Sequence, residues 1–136
     1  AIKFDSMTKN MDDYNCEKCK TISQVKERTI LSKLNYIFII QLLRFNNDGS
    51  KINKDIIIPF QLNLDKFSFQ LKNKNYKLSS VCCHISNNQL FGHYFSIVNL
   101  NNKWIIFDDN NVKEITNNDA KSIINRNGYL LIYHKI

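Results

Sequence analysis

A chain of 136 residues with 43% hydrophobic side chains can bury one core and is the size of a single domain or part of a larger one. Its net charge of +7 comes from lysines scattered among asparagines along the whole length, a solvated basic surface without the stripe or motif that nucleic-acid binding requires. No apolar run approaches the roughly 20 residues that cross a bilayer as a helix, and residues 1–10 are mixed and charged, unlike a signal peptide. We therefore expect an intracellular protein, cytoplasmic or nuclear or both, with no nucleic-acid or membrane partner.

The first chain landmark is Cys16-x-x-Cys19, after which residues 24–30 are a predicted strand. Residues 36–45 form a dense Ile/Phe/Leu run whose length and β-branching predict a buried strand, stopped by the turn chemistry of Asn46-Asn47-Asp48-Gly49. A short strand is predicted over 54–58, ended by Pro59, and a strand-rich second half over 76–85, 94–100, 104–107 and 129–134. Asparagine pairs at 46–47, 87–88, 101–102, 110–111 and 117–118 fall at breaks between these runs and mark turns, with Asn101-Asn102 a tight hairpin candidate.

One helix is predicted after Thr116, which forms a Thr-x-x-Asp capping box with Asp119; Ala120, Ile123 and Ile124 follow at helical spacing and Gly128 sits past its end. There is no internal repeat, and one proline and three glycines leave little material for a linker. Antiparallel strands with short connections and a small helix before the last strand predict an α+β palm.

Four cysteines at uneven spacing do not make a disulfide framework. Cys16 and Cys19 have the spacing of half a zinc knuckle, or of a redox pair, though the thioredoxin-like βαβ context of the latter is absent. Two thiols supply half of a four-ligand site, so structural zinc requires a second pair upstream. Cys82-Cys83 lies inside an apolar run and is read as buried.

The chemistry-bearing stretch is the second half. Gly92-His93-Tyr94 opens one strand and Asp108-Asp109 closes the next. If Asn101-Asn102 joins them as an antiparallel hairpin, His93 faces Asp108 or Asp109. A carboxylate on one imidazole nitrogen fixes the tautomer and leaves the other to take a proton from a thiol or hydroxyl. By itself such a pair is more often an ordinary ion pair or a satisfied, partly buried histidine than a catalytic dyad.

Together, Gly92-His93-Tyr94, Trp104-x-x-Phe107-Asp108-Asp109 and Tyr129-Leu130-Leu131-Ile132-Tyr133 resemble the histidine box of ubiquitin-specific proteases. The likeness extends upstream through Tyr76-Lys77-Leu78, Val81 and His84, through Leu34 and Gln41-Leu42-Leu43-Arg44-Phe45, and through Tyr14-Asn15-Cys16-x-x-Cys19, which resembles the second half of the family's finger zinc site. It covers roughly residues 14–133 in family order. The resemblance implies a mostly antiparallel palm of a papain-like cysteine protease fold, with residues 1–33 the end of the finger region, residues 34–136 the palm, and the thumb and part of the finger region missing. It implies His93 as general base, Asp108 as its orienter, Asp109 as assistant or alternative orienter, Gly92 and Tyr94 beside the channel for the ubiquitin tail, and ubiquitin and ubiquitinated proteins as partners. No cofactor is implied for catalysis.

Three positions depart from the family pattern. Phe91 stands where a second glycine usually precedes the histidine, a bulk that narrows the tail channel; Ile58 stands before Pro59 where Phe is usual, and Asn35 follows Leu34 where Pro is usual. The family's nucleophilic cysteine belongs to an upstream box with no counterpart here, so this chain is expected to be inactive alone, a part of a thiol-dependent ubiquitinyl hydrolase. The absent box leads us to expect a segment of a longer polypeptide; the Ala1 start fits an excised segment and fits processing equally well. A non-catalytic ubiquitin-binding module that keeps the palm is the alternative. Arg44 and His84 are read as structural partners in the sheet.

Overall fold

In the computed structural model, residues 8–28, 31, 33–67, 74–86 and 91–136 are described. Strands β1 (Thr8–Asn15) and β2 (Ile22–Arg28) form a separate antiparallel hairpin. The remaining strands are β3 (Ile37–Gln41), β4 (Gln61–Asn63), β5 (Asn75–Ile85), β6 (His93–Leu100), β7 (Lys103–Asp108), β8 (Asn111–Ile115) and β9 (Gly128–Lys135), with helix α1 (Asn117–Asn127) between the last two. They make one sheet in the order β3-β9-β5-β6-β7-β8, with β4 paired to the early part of β5. Every pairing is antiparallel, as the short connections predict. Among the described residues no helix is long and apolar enough to cross a membrane.

One face of the sheet carries the core. Tyr76, Leu78, Val81 and Cys83 of β5, Phe95 and Ile97 of β6, Trp104 of β7 and Leu131 and Tyr133 of β9 pack with Ala120 and Ile124 of α1 and with Ile58, Leu62 and Leu64. Strand alternation selects these positions, and Ala120 and Ile124, four apart, form the buried stripe of α1. The capping box forms as predicted, Thr116 Oγ1 accepting from Asp119 N at 3.1 Å.

Several sequence expectations are corrected. The run 36–45 yields only the five-residue β3, an edge strand rather than a buried one: Phe38 and Ile40 pack on the core while Ile37 and Ile39 are 47% and 55% exposed. A uniformly apolar run conceals its own alternation. Residues 54–58 join no ladder; Ile56 N donates to Asn125 O at 3.0 Å and Ile58 N to Asn125 Oδ1 at 2.9 Å, so this segment is tied to the end of α1. The short, polar β4 and β8 were not anticipated; β8 pairs Asn111 with Asp108 across a turn at Asp109-Asn110, and Asn117-Asn118 opens α1 rather than a turn. Asn87-Asn88 and positions 29–30 lie outside the described residues.

Gly128 follows α1 but not as a left-handed cap, since its φ is −55°. Space requires the glycine: a Cβ there would lie 2.6 Å from Ile124 O and 3.1 Å from Ile58 Cδ1. Gly128→Ala is expected to destabilise the fold by roughly 1–3 kcal/mol through overpacking, read as a lower urea midpoint; a midpoint within error of the parent would show that α1 shifts freely.

Candidate active site

The β6–β7 hairpin turns at Asn101 and Asn102, with φ of 50° and 64°, the left-handed pair that a two-residue hairpin turn demands and asparagine tolerates. Register then follows: Asn99 pairs with Trp104, Ile97 with Ile106 and Ser96 with Phe107. Carried one step outward, it sets Phe95 against Asp108, and His93, two residues further, becomes Asp108's diagonal neighbour on the core face. The pair is formed: His93 Nε2 and Asp108 Oδ1 are in direct contact, both side chains partly exposed. The His93 ring stacks over Phe95 at 6.4 Å and 16°, and Nδ1 is left as the nitrogen available to an incoming proton.

Asp109 completes the cluster. Backbone φ of +50° at the β7–β8 turn swings its carboxylate back, so that donor atoms of His93, Asp108 and Asp109 lie within 4.8 Å of one another. The hydrogen bond with Asp108 raises the His93 pKa above its ordinary 6.5, desolvation opposes it, and the charges of Asp108 and Asp109 add to the rise. Such a site can accept a proton near neutrality and hold the imidazolium.

Gly92, Tyr94 and Phe91 surround His93 differently. Phe91 is 75% exposed, and its carbonyl accepts from Ser86 Oγ. Tyr94 alternates to the other face of the sheet, where its ring lies 4.4 Å from that of His84. His84 is the feature that reading the sequence undervalued: it is 1% exposed, with Nδ1 buried and unpartnered, directly beneath Gly92. Its position next to the core residue Cys83 carried no signal that the ring would meet Gly92.

The four cysteines fall into two kinds. Burial, with Cys82 beside it, pushes the Cys83 thiol up to about 12, and burial also raises Cys82; both stay protonated and unreactive at neutral pH. Cys16 and Cys19 sit at the tip of the β1–β2 hairpin, where Lys20 with φ of 57° bends the chain and Lys20 N donates to Cys16 O at 2.8 Å. Hydrogen bonds from Thr21, then Cys16, lower the Cys19 thiol to about 7. Two neighbouring thiols, with that of Cys19 lowered, fit half of a tetrahedral zinc site; no third ligand lies near them among the described residues.

A family model of ubiquitin carboxyl-terminal hydrolases matches residues 5–133. The chain belongs to the ubiquitin carboxyl-terminal hydrolase family. It is 25% identical over 139 residues to ubiquitin carboxyl-terminal hydrolase 4 of Arabidopsis thaliana, covering 92% of this chain and 38% of that protein. With ubiquitin carboxyl-terminal hydrolase 12 of Salmo salar it is 30% identical over 139 residues, covering 88% and 37%. The fold is similar to the SAGA DUB module of Ubp8, Sgf11, Sus1 and Sgf73 bound to monoubiquitin, with a TM-score of 0.78, 26% identity, and coverage of 97% of this chain and 31% of that one. The same module bound to ubiquitin aldehyde gives 0.79 at 22% identity. This family member therefore spans 38% and 37% of the lengths of those two hydrolases, and its mostly antiparallel sheet with one helix is the expected papain-like palm architecture.

The two histidines of the site impose opposite pH dependences. His93, raised above 6.5, adds stability that is complete below 6.5 and lost as pH rises through its folded value. His84 is lowered, by burial first and then by the Lys51 charge, so its contribution is complete above 6.5 and lost as pH falls toward its folded value. Comparing urea midpoints at pH 8 and pH 5, the excess at pH 8 is expected to shrink in His84→Leu and grow in His93→Gln. A shift of the same sign in both would contradict these assignments.

Proposed function

We propose that this chain is the palm portion of a deubiquitinating cysteine protease, hydrolysing the peptide or isopeptide bond after the C-terminal glycine of ubiquitin when joined to a segment that supplies the nucleophilic cysteine. The contact between His93 and Asp108 carries the reading, within a family of ubiquitin carboxyl-terminal hydrolases. His93 Nδ1 takes the thiol proton, and the thiolate attacks the glycine carbonyl. As the C–N bond breaks, the imidazolium returns that proton to the leaving amine. Water then adds to the thioester with His93 again as base, releasing the ubiquitin carboxylate and restoring the thiol. Asp108 holds the tautomer and the imidazolium, and Asp109 adds negative charge.

Gly92, Phe91 and Tyr94 flank the path of the ubiquitin tail, the partners being ubiquitin and ubiquitinated proteins. The β1–β2 hairpin is the end of the finger region, and residues 34–136 the palm. Cys16 and Cys19 hold half of a structural zinc, which takes no part in the chemistry and is closed by two further ligands from elsewhere. The setting is intracellular, cytoplasmic or nuclear.

The test is release of a fluorophore from the ubiquitin C-terminus by a polypeptide joining this chain to a cysteine-bearing segment. Turnover that vanishes in His93→Ala supports the reading. A folded polypeptide that binds ubiquitin without turnover would make this a recognition module, the alternative favoured by the exposed Phe91 ring beside His93.

A further inference from the structure

His84 stands opposite Tyr94, and Ile85 opposite His93, in the β5–β6 register. Alternation puts the His84 ring on the face away from His93, enclosed by Tyr94 at 4.4 Å, Phe45 at 5.6 Å and Tyr129 at 6.3 Å. Its remaining side meets Gly92. A Cβ built there would overlap His84 Nε2 and come within 2.9 Å of Cε1 and 2.7 Å of Ser86 Cβ. Gly92 has no positive φ, so the ring beneath it, not its own backbone, excludes a side chain. From the strand's other edge, Lys51 Nζ donates to His84 O and pins the backbone that carries the ring.

We propose that His84 is a positioning residue: wedged between Gly92 and Tyr94, the two chain neighbours of His93, its buried ring fixes the backbone that aims His93 at Asp108. This rests on the reading of His93 as general base. Rotating the backbone at His93 moves residue 92 or 94, and both press on a ring that Phe45 and Tyr129 hold from the other sides. The imidazole is thereby aimed before substrate arrives, which is where a misplacement of about 1 Å costs about 10²-fold in rate.

Two readouts test this. In this chain, the His93 imidazole titration is followed by NMR; in the cysteine-bearing polypeptide, kcat and KM are measured across pH. Gly92→Ala is expected to lower the His93 midpoint toward 6.5 and to reduce kcat about 10²-fold, a larger effect than on KM. Adding His84→Ala to Gly92→Ala makes room for the new Cβ and is expected to recover part of both losses, a non-additivity that a purely structural ring would not produce in the His93 titration. His84→Leu is expected to lower the midpoint while keeping the fold. Should His84→Leu unfold, the Gly92→Ala pair of variants decides alone. A His93 midpoint and kcat at parental values in folded Gly92→Ala overturns the proposal. If the parent polypeptide never turns over, the protease reading fails instead, and the NMR titration still judges the positioning role.

Discussion

Asp108→Asn is expected to lower kcat/KM by about 10²–10⁴-fold in a cysteine-bearing polypeptide, the range that general acid–base catalysis supplies, while Asp109→Asn costs less than about tenfold. The distinction comes from geometry. Asp108 Oδ1 touches His93 Nε2, whereas Asp109 reaches the cluster from the following turn and acts on the imidazole through its charge alone. An amide at 108 can donate to Nε2 and so stabilise the tautomer that presents the wrong nitrogen protonated to the thiol. An amide at 109 removes only a charge in a partly solvated site. The activity loss in Asp108→Asn should come with a fall in the His93 midpoint. Equal losses in the two variants, or the larger loss in Asp109→Asn, would transfer the orienting role.

The second large effect is on stability. Arg44 is 1% exposed, and its guanidinium donates to three backbone carbonyls: Gly128 O at 2.7 Å, Lys54 O at 2.9 Å and Asn125 O at 2.7 Å. These belong to the last turn of α1, to the first residue of β9 and to the segment leading to Pro59. A single side chain thus fastens three parts of the chain and satisfies carbonyls that the helix end leaves open. Arg44→Met is expected to cost about 3–5 kcal/mol, since three charge-assisted bonds are lost at a buried site, where Asn125 O keeps only its bond from Ile56 N. Arg44→Lys should recover less than half, because an ammonium lacks the planar fork. A urea midpoint in Arg44→Met close to the parent would mean that water replaces the guanidinium and that the clasp is dispensable.

Much of the site was legible because it is built from local rules. Two asparagines that tolerate positive φ make the β6–β7 turn, the turn fixes register, and register brings a histidine at one strand's start to an aspartate at the next strand's end. The same logic reached α1, whose cap, buried stripe and end lie within one short segment. Residues 36–45 were misjudged as wholly buried because unbroken apolar composition says nothing about which neighbour covers which face. Residues 54–58 were misjudged because their partner is the distant Asn125 rather than another strand.

Turn chemistry, strand and helix periods and the spacing of Gly92-His93-Tyr94 with Asp108-Asp109 are properties of contiguous residues, and they were enough for the α+β architecture and for bringing His93 to Asp108 or Asp109. Which aspartate meets the histidine, why position 92 admits no side chain, and what Arg44 and His84 do were decided by the tertiary structure alone. Each depends on groups far apart in the chain, such as the Arg44 guanidinium under Gly128 O and the His84 ring under Gly92. Packing of that kind is set by steric exclusion and by the need to pair buried polar groups, and neither constraint acts until the chain has closed on itself.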